Sequence, residues 1–366
     1  MFTRPRRFGK TLSLSMMKCF FEDTGDARKN AECAVLFQGT KIMSDTGKVQ
    51  KYMGKYPVIS LTLKSGKQAD FEQSYYAMKE SIAREFKRHL SIVDKIILAD
   101  DREMFLRIAG RKGAKEDYNT SLQFLSECLH QVYQSRVIIL IDEYDVPLEN
   151  AYFKGFYDKM VDFIRSLFES ALKTNDFLEF AVITGCLRIS KESIFTGLNN
   201  LKIISILNET YDEHFGFTQS EVDDMLQFYG RESRSAEVRQ WYNGYRFGNE
   251  DVYNPWSMIN IMDKIRAKEE AFMEPYWANT SSNNIVHTLI EQANPSVQKE
   301  IEELMGGGTI EKPIHEDITY ADIYKTIHSS LPRSHFVRFL HKSVRVGCAK
   351  PHVLCAVCVY KSYFHS

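Results

Sequence analysis

Net charge of either sign is almost absent from this chain: Lys+Arg 47 against Asp+Glu 48 leaves −1 over 366 residues. No global field recruits nucleic acid or an anionic membrane, so any nucleic-acid contact has to be local. A long apolar run is missing too, and the mean hydropathy is −0.33, so no bilayer-crossing segment and no membrane partner are expected. There is no secretory signal with an apolar stretch and a cleavage site. Nor is there an even set of cysteines. The 7 present are scattered, which reads as free thiols in a reducing compartment rather than a disulfide framework. Together these absences point to the cytoplasm. No internal repeat is visible, which excludes a solenoid.

What is present is enough apolar residue, 44%, for one large domain or two smaller ones. "YPVISLTL" (56–63), "RVIILIDEYD" (136–145), "FLEFAVITG" (177–185) and "LKIISIL" (201–207) read as strands. The second of these is a continuous apolar run ending in acids, as in a parallel sheet buried on both faces. Helices are expected over 12–21, buried on most faces, and over 71–98, 119–134 and about 153–174. Strands alternating with helices argue for α/β with a parallel sheet. After about residue 208 the texture changes. A capped helix is expected at 218–230, with Thr218 or Ser220 ahead of Glu221. A β-hairpin within 241–262 should enter a helix at Asn254-Pro255. Residues 283–305 read as helix and the glycines at 306–308 as a linker.

The opening stretch "FTRPRRFGKT" (2–11) ends in Gly9, Lys10 and Thr11. Backbone N–H groups at a helix start attract phosphate, lysine reaches the terminal phosphates, and the hydroxyl binds magnesium. The full loop pattern wants glycine five residues before Gly9, where Arg4 stands. The second half of such a site is a buried strand ending in acid, and Val137–Ile141 run into Asp142 and Glu143. There Asp142 would hold magnesium and Glu143 would polarise the attacking water. The alternatives for the opening stretch are a mitochondrial presequence, a basic arm for nucleic acid, or a solvated basic loop. Four basic residues are few for tight nucleic-acid binding.

These blocks resemble the AAA-ATPase-like family of bacterial proteins, whose P-loop ATPase is often linked to a nuclease-like domain. "FTRPRRFGKTLSLSMMKCFFE", "ILIDEYDVPLENAY", "ITGCLRISKESIFTGLNNL", "FGFTQSEVDDML", "WYNGYRFGNEDVYNPWSMINIM" and "YWANTSSNNIV" carry the likeness, over roughly residues 2–325. The family's own phosphate loop has the Arg-Pro-Arg-Arg-Phe form. The resemblance implies a P-loop core at 1–207 and a helical or winged-helix-like lid at 208–305, followed by a linker and irregular tail at 306–366. It implies ATP and Mg2+ as cofactors, with Walker A and Walker B motifs. Arg7, Phe8, Gly9, Lys10, Thr11, Leu12 and Thr184 are then the nucleotide-binding residues. Thr11 and Asp142 are the metal residues, and Glu143, Lys10 and Arg188 the catalytic ones, Arg188 touching phosphate, a neighbouring subunit or merely a surface acid. Tyr144 and Asp145 would support the Asp142 loop. Trp241, Tyr242, Tyr245, Tyr253 and Trp256 would form the core of a small domain rather than stack on a base.

Partners implied are a nucleotide and a protein partner or second copy. The alternative function is a non-catalytic nucleotide-binding or interaction module, a truncated gene product. Two departures support that alternative. Only three residues precede Arg4, so the sheet's first strand is expected to be absent or a stub, leaving a gap between "RVIILID" and "FLEFAVITG". The basic, Cys-rich end has no Asp…Glu-x-Lys set for a nuclease. Cys348, His352, Cys355 and Cys358 offer soft ligands for zinc, with only one Cys-x-x-Cys pair.

Overall fold

The computed structural model describes residues 1–186, 194–195, 198, 200–268, 270–276 and 295–305. Two compact units emerge, one of Met1–Thr3 with Lys10–Ile203, the other of Arg4–Gly9 with the chain from Ile204 onward.

The first unit is α/β. Its parallel sheet has the order β1-β4-β3-β2, made of β1 (Phe2–Thr3), β2 (Val58–Thr62), β3 (Val137–Asp142) and β4 (Leu178–Gly185). Every residue of β3 is buried, as its unbroken apolar run requires. Helix α1 (Lys10–Phe21) covers one face, where Leu14 packs on Val58, Ile138 and Leu140. The alternate residues Ile139 and Ile141 point the other way, to the side of α4 (Phe71–Arg88), α7 (Ser121–Tyr133) and α9 (Tyr157–Leu172). Smaller helices fill in: α2 (Ala27–Val35), α3 (Thr46–Tyr52), α5 (Ala99–Ala109), α6 (Lys115–Asn119) and α8 (Val146–Lys154).

Several expectations need correction. β3 and β4 pair directly, Ile139 with Ala181 and Ile141 with Ile183, so no gap lies between them. β1 instead pairs outside β4, Phe2 with Thr184 and Thr3 with Gly185. Residues 201–207 form no strand. Their backbone is satisfied otherwise: Lys202 O accepts from the Met1 amino group, and Ser205 N donates to Asn208 Oδ1 at 2.7 Å. The helix expected over 71–98 stops at Arg88, with a 3-10 turn at Leu90–Lys95. The one expected over 153–174 is two helices, parted where Gly155 takes the left-handed φ of +77°. α1 is not buried all round, since Leu12 and Met16 are exposed. Cys19 and Cys33 are joined as a disulfide, with Cα atoms 5.5 Å apart. Among the described residues, only Cys128 and Cys186 fit the free-thiol expectation.

The second unit is built on an antiparallel sheet, β5-β7-β6, of β5 (Phe217–Thr218), β6 (Asn243–Phe247) and β7 (Glu250–Tyr253). The hairpin turns at Gly248, φ +49°. Asn254 then caps α12 (Pro255–Ala267), accepting from Ser257 N at 3.2 Å, with Pro255 in the first turn. Thr218 is the cap of α10 (Gln219–Phe228), and it shares a capping box with Glu221. With α11 (Ser235–Tyr242) these helices bury Val222, Leu226, Val238, Met258, Ile261 and Ile265. Tyr242, Tyr245 and Tyr253 are core, as expected of this aromatic cluster, while Trp256 is 43% exposed. Of the helix expected at 283–305, the described part is α13 (Pro295–Met305). The glycines at 306–308, the tail and its four metal-type side chains lie outside the described residues.

Candidate functional site

The strands of the first unit all run one way, so their carboxyl ends share an edge. Thr3, Thr62, Asp142 and Thr184 stand there. β1 leads by α1 to β2 on the far side of β3, so the strand order reverses between β1 and β4. Ligands of open α/β sheets bind outside the carboxyl ends at such a reversal.

At this edge Asp142 is the centre. It is buried, and both of its oxygens accept from hydroxyls: Oδ2 from Thr11 Oγ1 at 2.6 Å and Oδ1 from Thr184 Oγ1 at 2.5 Å. Thr11 lies in the first turn of α1, Asp142 ends β3 and Thr184 nearly ends β4. Three segments, 131 and 42 residues from Asp142 along the chain, thus meet on one carboxylate. Lys10 is buried at the start of the same helix, with Nζ 3.4 Å from Cys186 Sγ. The first turn of a helix directs its N–H groups along the axis, and its dipole favours an anion there. Leu12 is in that turn with its side chain in solvent.

Glu143 follows Asp142 with a left-handed φ of +53°. A non-glycine residue so placed costs on the order of 1 kcal/mol and is typical of functional sites. Burial, then the neighbouring Asp142 charge, pushes its carboxyl above the ordinary value, although Lys64 and Lys10 pull the other way. Tyr144 and Asp145 are supports. Tyr144 N donates to Thr184 O at 3.1 Å, and Asp145 Oδ2 accepts from Cys186 N at 2.8 Å. Gly185 is required here, because a Cβ would meet the Tyr144 ring at 2.5 Å.

Residues just ahead of Lys10 make contacts within the second unit. Arg4 is wholly buried in the second unit, its guanidinium 5.1 Å from both the Phe215 and Phe247 rings. It donates to Ile204 O and Tyr211 O. Burial lowers its pKa to about 10 against the opposing charge of Asp212. Arg7 lies 4.7 Å over Trp256, and Phe8 packs edge-on to Tyr245. Gly9 has φ +75°, immediately before Lys10. The Phe8 side chain is buried, while Arg7 is half-buried against Trp256. Arg188 lies outside the described residues. Cys186 was missed by sequence reasoning. Its signal was its place one residue past "AVITG", beside an expected site threonine.

Thr11 Oγ1, Asp142 and Glu143 are hard oxygen donors. The Thr11 proton goes to Asp142, which leaves the hydroxyl lone pairs for a cation. That set suits magnesium, which keeps several waters and takes few protein ligands.

A family model described as AAA-ATPase-like, a predicted AAA-ATPase, matches residues 1–195, and so covers more than half of the chain. An uncharacterized protein in the vnfD 5′ region of Azotobacter chroococcum mcd 1 is 26% identical over 294 residues. That alignment takes in 79% of this chain and 49% of the relative, so the chain spans about half the relative's length. No solved structure matches the chain.

Proposed function

The chain belongs to the AAA-ATPase-like family, and from that membership we propose that it binds ATP with Mg2+ and hydrolyses it. The observation that carries this is the meeting of Thr11 and Thr184 on the Asp142 carboxylate, with Lys10 alongside Thr11 in one helix turn. Lys10 faces the terminal phosphates, and the amides of the first turn, with Gly9 and Leu12, bind phosphate oxygens. Thr11 Oγ1 and the Asp142 carboxylate would hold the magnesium. When bound, the ion neutralises charge on the transferred phosphate. Thr184 fixes the Asp142 carboxylate and responds to the γ-phosphate. Glu143, its proton affinity raised, accepts a proton from the attacking water.

The test is a titration of a fluorescent ATP analogue with phosphate release measured in parallel. Lys10→Ala should weaken binding at least about tenfold, the loss expected for one charged contact of ~1.4 kcal/mol or more. Glu143→Gln should bind like the parent and lose turnover about a hundredfold or more. Equal affinity of Lys10→Ala overturns the phosphate site. Binding without turnover in the parent protein favours the non-catalytic module instead.

A further inference from the structure

Away from the Asp142 edge, the other end of α1 carries chemistry that nucleotide binding does not use. Cys19 lies in its last turns and is bonded to Cys33 of α2. Cys19 also lines a cavity of about 350 Å³, with Glu22, Asn30, Ala34, Gln50 and Lys55. Both cysteines are half-buried rather than sealed in the core. A thiolate small enough to enter the cavity therefore has a path to one sulfur of the bridge.

The helix that the bridge secures has little else to hold it. α2 contains no buried residue. Its capping interactions are its own: Asp26 accepts from Arg28 N and Lys29 N. Its other described ties are few. Asn30 accepts from Thr24 N at 3.0 Å and donates to Asp23 Oδ1 at 3.0 Å, and Phe37, just beyond the helix, packs 5.3 Å from Phe20. A short helix with no apolar face in the core is not stable alone. Its attachment rests on these contacts and on the cross-link to α1.

We propose that Cys19 and Cys33 form a reversible redox site, taking small dithiol reductants through this cavity, and that its reduction releases α2 from the first unit. A reductant thiolate attacks Cys19 Sγ, forming a mixed disulfide as the Cys19–Cys33 bond breaks, and Cys33 leaves as a thiolate that takes a proton from water. The reductant's second thiolate then attacks its own sulfur in the mixed disulfide and closes to a cyclic disulfide. Cys19 leaves as a thiolate and is protonated in turn. Two electrons pass from the dithiol to the bridge, and the protein gains two thiols. The cross-link no longer closes the loop between α1 and α2, and α2 opens more often.

The experiment uses the full chain and dithiothreitol as the reductant. Protein kept in its native state, with and without dithiothreitol, is alkylated and mapped by mass spectrometry. Trypsin cleavage after Arg28 and Lys29 is timed in parallel. The expected result is a linked Cys19–Cys33 peptide before treatment and alkylation at both after millimolar dithiol. Cleavage in α2 should become roughly tenfold faster, because it tracks the open population. The double variant Cys19→Ser, Cys33→Ser should cleave at the fast rate without reductant. Its circular dichroism shows whether it is folded, and the native wild-type arm stands even if it is not. Three results each overturn the proposal: both cysteines alkylated before reduction, a bridge that yields to dithiothreitol only after denaturation, or cleavage in α2 unchanged by reduction.

Discussion

At the scale of single residues, Glu143 combines a left-handed backbone with a carboxyl whose pKa is raised. It adopts φ +53°, and burial with the Asp142 charge raises its pKa above the ordinary value of 4.5. A carboxyl with a raised folded pKa contributes stability that is fully present below the unfolded value. That stability is lost as pH rises through the folded value. At neutral pH the charged side chain is therefore a cost. Glu143→Gln should be at least as stable as the parent at pH 7, by up to about 1 kcal/mol, with the difference vanishing near pH 4. Urea unfolding at both pH values reads this directly. A variant clearly less stable at pH 7 would show that the charge is structurally paired and is no general base.

The same scale shows what was legible. Thr11 was marked by the Gly-Lys-Thr end of the opening stretch, Asp142 by the apolar run that ends in it, and Thr184 by the family resemblance. Their convergence is seen in two hydrogen bonds of 2.6 and 2.5 Å. Arg4 was not legible in its true role. Sequence order sets it beside the phosphate loop, whereas its guanidinium is held by Phe215 and Phe247, more than two hundred positions later. No local pattern encodes a contact at that separation. The bond between Cys19 and Cys33 was hidden for a different reason: an odd, scattered set of cysteines favours free thiols on composition alone.

At the scale of elements, strands buried on both faces and helices with sharp caps were readable, and segments held by side chains were not. "LKIISIL" has strand composition, yet its backbone is occupied by Met1, Arg4 and Asn208, so the ladder it would need is replaced. A second long-range device joins three elements that were each legible alone. Arg88 of α4 pairs with Glu22 beyond α1 and donates to Val58 O of β2, while Glu85 accepts from Ser60 N at 2.7 Å. Burial alone would push Glu85 up, but the nearby His89, with Nε2 3.5 Å away, and the hydrogen bonds and charge of Arg88 hold it at about 2. A depressed carboxylate contributes stability above its unfolded value of 4.5 and loses it as pH falls through about 2. Arg88→Met should therefore cost about 3–5 kcal/mol at pH 7, since it strands two buried acids. The gap to the parent should narrow as the solution is acidified from 4.5 toward about 2, the window in which the parent's Glu85 takes up its proton. Denaturant midpoints over that range decide it, and a pH-independent gap would mean that only packing was lost.

At the scale of the molecule, the first unit has an unbroken sheet. A strand expected in the centre stands at the edge, and β3 and β4 close directly on each other. The expectation that two neighbouring strands each forfeit a row of hydrogen bonds therefore falls away. The site at the carboxyl edge rests on β3, buried along its whole length. It is accordingly organised before any ligand arrives, and a ligand that binds it should register as stability. A ligand present at a hundred times its dissociation constant stabilises the folded form by about 2.7 kcal/mol. In a unit of roughly two hundred residues that corresponds to a rise of about 5–10 °C in the transition of that unit. ATP with magnesium should produce this rise in a calorimetric scan. ATP with excess chelator should produce less, because the ion proposed for Thr11 and Asp142 would then be absent. Lys10→Ala should produce at most about half of it at the same ATP concentration, since a tenfold weaker site retains about 1.4 kcal/mol or less, and the comparison is made within each protein. Glu143→Gln should keep the full rise while releasing no phosphate, which separates binding from turnover in one instrument. If the parent shows no rise at millimolar ATP and magnesium, or if Lys10→Ala rises equally, then the hydroxyl-clasped Asp142 is a structural joint of the sheet, and nucleotide does not bind at this edge.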